Sequence, residues 1–255
     1  MGQFVEYEVR DHVAYITMNR PEKKNALNRA MRKEVQDAFV DVKYNTDIWV
    51  AILTGNGDIF CSGKDLFEKV PPELENGEVM SNDELYLCLR NTFKPFVVAL
   101  NGACLAQGGG FALNADIVVM SERASIGWPQ VKRGISSVSG PSFLPHAIPW
   151  NIAMGYLLRG KFINAEEAYR LGLANEVVPH DQLMVAAERW AREIIESAPL
   201  AVHAIKESAR RGLEVPVDTR VYMARDVANH VLLSEDAKEG IQAFKEKRSP
   251  KWKAR

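Results

Sequence analysis

The chain has 255 residues, 47% hydrophobic and 25% charged, an ordinary globular composition long enough for one large core with an appendage. Its net charge of −1 leaves no strong field to hold nucleic acid or anionic lipid. Three cysteines, Cys61, Cys88 and Cys104, cannot all pair, and no CxxC spacing points to zinc, which fits a reducing, cytoplasmic setting.

The N-terminal Met-Gly-Gln-Phe-Val-Glu lacks a basic, apolar leader, and Glu6 stands where a myristoylation motif takes Ser or Thr. Apolar runs such as residues 96–100 are too short to cross a bilayer. Residues 12–18 (HVAYITM), with His12 at the start, and 48–54 (IWVAILT) predict strands. Between them Leu27, Met31, Val35, Ala38, Phe39 and Val42 recur at helical spacing, which makes a βαβ unit. Residues 66–92, with Pro71-Pro72, Asn76-Gly77 and many acids, predict the most mobile segment. Residues 96–101 and 116–120 predict two more strands, with Gly108-Gly109-Gly110 opening a helix between them. Past residue 140 helices dominate, at 149–158, 164–171 and 181–196, with a short strand at 175–178. A helix starts at Ser197-Ala198-Pro199 and stops at Gly212, and two more follow at 216–233 and 235–247. The fold class is α/β with mostly parallel strands, a core over 1–196 and a helical appendage over 197–255.

Two junctions carry chemistry. One is Phe60-Cys61-Ser62-Gly63-Lys64-Asp65-Leu66 after a strand and a Gly-Asn-Gly turn; the other runs from Asn101-Gly102-Ala103 to the glycine triplet and a helix. A strand-to-glycine-to-helix junction leaves free backbone N–H groups at a positive helix end. Two such groups converging on one carbonyl oxygen form an oxyanion hole.

These motifs resemble the crotonase (enoyl-CoA hydratase/isomerase) superfamily in order and spacing. The likeness runs from Asn19-Arg20-Pro21 and Asn25-Ala26-Leu27 through Ser62–Leu66, Asn101-Gly102 and the triplet. It continues through Asp116, Gly127-Trp128-Pro129 and Leu171-Gly172-Leu173-Ala174 to Phe244-Lys245-Glu246-Lys247-Arg248. The resemblance implies a ββα spiral core, a C-terminal trimerisation region, and homotrimers or hexamers. The substrate would be an acyl-CoA, with coenzyme A as part of it and no tightly bound cofactor or metal. Carried over by position, the N–H groups of Lys64 and Gly109 form the oxyanion hole. Ala26, Leu27, Ser62, Lys64, Asp65 and Leu66 line the CoA site, and Phe244 and Lys247 reach it, often from a neighbouring subunit.

The acid/base pair departs from the pattern. Hydratases of the family carry one glutamate two residues after the triplet and another after the proline of the Gly-x-Pro turn; here those residues are Ala112 and Gln130. Alanine transfers no proton, and a neutral amide is no general base. Gln130 and, in the following loop, Ser137 remain as groups that could orient water or substrate, although serines there also serve as helix caps. Lys132-Arg133 reads as an exposed pair or a carboxylate holder, Trp128 as an acyl-pocket wall or core residue, and Cys61 as a packing residue. His12 and His146 read as structural, and Glu68 and Glu84 as minor candidates. Decarboxylation or thioester hydrolysis could use the same oxyanion stabilisation, and a catalytically silent CoA-thioester binder is the reading from another class. A dinucleotide enzyme fails on spacing: Asp116 follows Gly110 by six residues, where a ribose-binding acid stands about twenty on.

Overall fold

The computed structural model describes residues 2–69 and 77–255. Pro71, Pro72 and Asn76, which anchored the expected mobile segment, lie outside the described residues. Among the described residues ten strands form two sheets. The larger has the order β1 (Val5–Arg10), β2 (Val13–Met18), β3 (Val50–Gly55), β5 (Phe96–Leu100), β7 (Ile117–Ser121) and β10 (Glu176–Val178). Only its β1–β2 pair is antiparallel. Every residue of β3 and β5 is buried, because apolar side chains cover both faces.

The smaller sheet is β4 (Ile59–Cys61), β6 (Ala103–Leu105), β8 (Ser125–Gly127) and β9 (Phe162–Asn164). Long and short strands alternate along the chain: β3 turns into β4, β5 into β6, and β7 into β8. Each pair leads into a helix: α2 (Asn82–Arg90), α3 (Gln107–Asn114), and a 3₁₀ turn at Pro129–Arg133 followed by α4 (Ser139–Ala147). The result is a ββα repeat. At the β5–β6 corner a Cβ on Gly102 would lie 1.8 Å from the Asp58 carbonyl oxygen, so only glycine fits.

Helix α1 (Arg29–Tyr44) buries Met31, Val35, Ala38, Phe39 and Val42 against one face of the large sheet. Helix α7 (Leu183–Ile195) covers the other face with Leu183, Ala186, Ala187 and Ala191. Between these come α5 (Trp150–Leu157) and α6 (Ala165–Arg170). The chain ends in α8 (Pro199–Gly212), α9 (Val217–Leu232) and α10 (Glu235–Glu246). Helix α8 docks on the body through Lys206, 7% exposed, whose Nζ lies 2.6 Å from Asp116 and donates to the Lys94 carbonyl. Helix α9 has no buried residue.

Three expectations change. Helix α2 occupies residues 82–90 of the stretch read as mobile, started by a capping box in which Ser81 and Glu84 satisfy each other's backbone N–H. The glycine triplet lies inside the first turns of α3 rather than ahead of it. His12 lies in the left-handed turn between β1 and β2, stacked on Trp49. Among the described residues no helix is long and apolar enough to cross a membrane.

Candidate active site

One wall of the site is built from the residues around Leu27 and Lys64. Asn25 is buried with φ 50°; its Nδ2 donates to the Asn56 and Ile59 carbonyls, and its Oδ1 accepts from the Arg20 N–H. Arg20 in turn clamps the Ala26 carbonyl at 2.9 Å and Asp65 at 2.8 Å. This holds residues 25–27 beside residues 62–65. The Leu27 N–H donates to the Gly63 carbonyl at 2.8 Å, and the Asp65 N–H to the Leu27 carbonyl at 3.1 Å. In such a parallel bridge the residue between the two bonds, Lys64, turns its own N–H and C=O away from Leu27.

The opposite wall is the start of α3. Ala106 precedes it with φ 54° and ψ −109°, a conformation that strains a residue bearing a Cβ. The strain is held by bonds around it. The Ala106 N–H donates to the Gly127 carbonyl at 2.8 Å. The Ala106 carbonyl accepts from Ser139 Oγ, which accepts from the Trp128 indole N–H at 3.0 Å. Gln107 is therefore the first residue of the helix, and its N–H precedes the intrahelical ladder. The two walls touch at Gly63: with φ 99°, its Cβ would meet Ala106 Cβ at 2.8 Å and Gln107 N at 3.4 Å.

Between the walls lies a cavity of about 360 Å³ lined by Ser62, Lys64 and Leu66 on one side, Ala106 and Gln107 on another, and the loop from Pro129 to Ser139. The start of α2 (Ser81, Asn82, Asp83) and Arg32 of α1 complete it. Three residues on its lining carry a buried polar side-chain atom without a protein partner among the described residues: Arg32 Nε, Asn82 Oδ1 and Gln130 Oε1. Such orphans in one cavity mark a place for a polar ligand, since a buried unpaired group is otherwise costly.

The candidates separate accordingly. Lys64, Ser62, Leu66, Gln130 and Ser137 line the cavity. Ser137 also accepts from the Gly140 N–H at 3.3 Å, at the start of α4. Asp65 is taken up by Arg20, whose hydrogen bond holds its carboxyl below the usual range. Ala26 is half-buried; Leu27 is fully buried and meets this wall only through its backbone. At Gly109, expected as the second donor, a Cβ would lie 2.5 Å from the Trp128 ring, so only glycine fits; its N–H belongs, with that of Gln107, to the first turn of α3, which precedes the intrahelical ladder. Ala112 is 4% exposed and belongs to the hydrophobic core. Trp128 packs in that core and also lines a neighbouring cavity of about 380 Å³. Phe244 is 85% exposed, and Lys247 caps α10 in a left-handed conformation.

Burial pushes the Cys61 thiol up to about 12, so it stays protonated at neutral pH and is a packing group. Glu68 accepts from the Arg29 N–H at the start of α1, and Glu84 belongs to the α2 capping box. His146 and Lys132 are exposed, whereas Arg133, also exposed, lines the cavity. Among the described residues no group of His, Cys, Asp and Glu could hold a metal ion. Sequence reasoning missed Gln107, Asn82 and Asp83. The Ser81-x-x-Glu84 spacing could have revealed the helix that carries the last two.

Residues 8–255 match the family model described as enoyl-CoA hydratase/isomerase. The chain is 36% identical to an (E)-benzylidenesuccinyl-CoA hydratase from Thauera aromatica, covering 96% of this chain and 97% of that one. It is 39% identical to a carnitinyl-CoA dehydratase from Salmonella typhi, covering 94% of each. The crystal structure of an enoyl-CoA hydratase/isomerase from Mycobacterium paratuberculosis superposes with a TM-score of 0.92 at 34% identity over all of both chains. An enoyl-CoA hydratase from Bacillus anthracis superposes with 0.93 at 31% identity, covering 99% of this chain and 100% of that one.

Proposed function

Because this chain belongs to the enoyl-CoA hydratase/isomerase family, we propose that it binds an acyl-CoA thioester in the cavity between the two walls and polarises the carbonyl with the backbone N–H groups of Lys64 and Gln107. The observation that carries this is the bridge at Leu27, which turns the Lys64 N–H away from Leu27. Gln107 is taken as the second donor because it lines the same cavity as Lys64, and the Gly109 N–H of the same helical turn is the alternative donor. Two such donors, fixed before substrate arrives, stabilise an oxyanion or enolate without reorganisation.

The two positions where the family carries glutamates hold Ala112 and Gln130, and neither is a carboxylate. Gln130 can orient a polar group but cannot take its proton. The reaction is therefore one that uses the enolate or oxyanion without the usual pair of glutamates. The relatives named for hydration of benzylidenesuccinyl-CoA and dehydration of carnitinyl-CoA support water addition or removal on a polar acyl-CoA. Decarboxylation and thioester hydrolysis draw on the same donors. Coenzyme A enters as part of the substrate. The exposed Val217, Val221, Tyr222 and Leu232 of α9 support self-association, as trimer or hexamer, with Phe244 and Lys247 reaching a neighbour's CoA.

The test is calorimetry with a panel of acyl-CoA thioesters, with turnover followed by mass spectrometry. Binding followed by chemical change of the acyl group is the expected result. Binding without any turnover leaves the silent binder, and no binding at millimolar thioester overturns the proposal.

A further inference from the structure

The cavity lacks a carboxylate at both positions where the family keeps one, yet it contains one elsewhere. Among its described lining residues the only carboxylate is that of Asp83, the second residue of α2. Its surroundings are built rather than incidental. The Tyr86 hydroxyl donates to Asp83 Oδ1 at 2.7 Å, and Oδ2 has no partner among the described residues. Tyr86 is 2% exposed, and its ring meets Phe143 edge-on at 5.4 Å. The same ring fills the space that a side chain at Gly110 would need: a Cβ there would lie 2.5 Å from Tyr86 Cδ1. Tyr86 is thus fixed against α3 and directs a hydrogen bond to a carboxylate one turn back on its own helix.

That helix is also tied to the donor residue. Gln107 Nε2 donates to the carbonyl of Asn82, the neighbour of Asp83. The residue whose backbone N–H faces the thioester and the turn that carries the carboxylate are therefore held in one network. The orphaned Asn82 Oδ1 and Gln130 Oε1 lie on the same cavity.

We propose that Asp83 is the acid/base of this site, and that Tyr86 is the residue that positions it; the inference rests on the thioester reading of the cavity. In the step assigned to it, an Asp83 carboxylate oxygen takes a proton from the carbon α to the thioester carbonyl. The C–H pair becomes the C=C of an enolate as the carbonyl pair moves to oxygen, where the Lys64 and Gln107 N–H groups hold the charge. Return of the proton from Asp83 reverses the step, so no other reactant is needed.

The experiment uses butyryl-CoA as probe, with the full-length protein in D₂O. Mass spectrometry follows deuterium entering the α-carbon, and calorimetry follows binding. The unmodified protein should bind and exchange. Asp83→Asn keeps an acceptor for Tyr86 and should lose about a hundredfold or more of the exchange rate with affinity unchanged. Tyr86→Phe keeps the ring and should lower the exchange rate but not the affinity, a split that a merely packing role would not produce. Exchange by Asp83→Asn at the unmodified rate overturns the proposal. So does binding without exchange by the unmodified protein, which leaves the thioester reading standing. Absence of binding sinks the thioester reading itself. Should Asp83→Asn fail to fold, Tyr86→Phe decides: unchanged exchange in a folded, binding variant overturns the inference.

Discussion

The two walls of the cavity reach their geometry by different means. Around Lys64, the backbone bonds of Leu27 with Gly63 and Asp65, braced by the side chain of Asn25, fix the direction of one N–H, and the sequence motifs already single out these residues. At the start of α3, side-chain bonds from Ser139 and Trp128 and a strained Ala106 fix where the helix begins, and the conspicuous glycines are used for packing. The first wall is thus set by bonds within the motif residues, and the second by where α3 starts.

The sharpest way to break this comparison is Ala112→Glu. If the glycine triplet set the register, the new carboxylate would enter the site and raise hydration of crotonyl-CoA. With α3 beginning at Gln107, it enters the core that also holds Phe111 and Leu144 instead. Burying an unpaired charge costs several kcal/mol. Thermal denaturation should show a larger loss of Tm for Ala112→Glu than for any substitution on either wall.

Next comes Gln107→Pro against Gln107→Ala. The first helical position accepts proline; both variants lose the Gln107 side-chain bond to Asn82, and only proline also loses the N–H. Loss of one oxyanion donor should lower turnover by about a hundred- to a thousandfold. Alanine keeps the N–H and should lose far less. Equal losses in both variants would return the donor role to another residue. Circular dichroism checks that Ala106, whose conformation a following proline constrains, still allows the fold.

Much of the architecture was legible in the sequence. Helix α1 and the helices from α7 onward were readable because one face of each meets the body or closes with a cap or stop. The buried strands β3 and β5 were readable as unbroken apolar runs. The smaller sheet was not, because three residues cannot carry a period of two. Strand β1 escaped because only Val5 of its six residues is buried. On the site's first wall, Lys64 was legible because the Ser62–Leu66 segment follows a strand directly. On the second wall the exact start of α3 was hidden, because the positive φ of Ala106 comes with contacts to residues 127 and 139, distant in sequence.

A third change tests those distant contacts. Ser139→Ala leaves the Trp128 N–H and the Ala106 carbonyl each short of a partner in a buried setting. That should cost about 1–3 kcal/mol. It should also lower turnover more than binding, because the shift falls on Gln107. A loss of stability with turnover intact would mean that Ala106 holds its conformation unaided.

The smallest effect is expected on the first wall, at Asp65→Asn. Arg20 Nη1 lies 2.8 Å from Asp65, with both side chains 12% exposed, and this hydrogen bond holds the carboxyl below its ordinary value. A carboxylate whose pKa is depressed on folding adds stability above its unfolded value, about 3.9, and loses it as pH falls through the lower folded value. The unmodified protein should therefore exceed the variant in stability at neutral pH, by about 1 kcal/mol or about 2–4 °C in Tm. The gap should close as the solution is acidified through and below the ordinary carboxylate range. Acyl-CoA affinity should change little, since the Leu27–Gly63 and Asp65–Leu27 backbone bonds survive the substitution. A large loss of affinity at neutral pH would show that the ion pair, not the backbone bridge, aims the Lys64 N–H, and the contrast between the two walls would collapse.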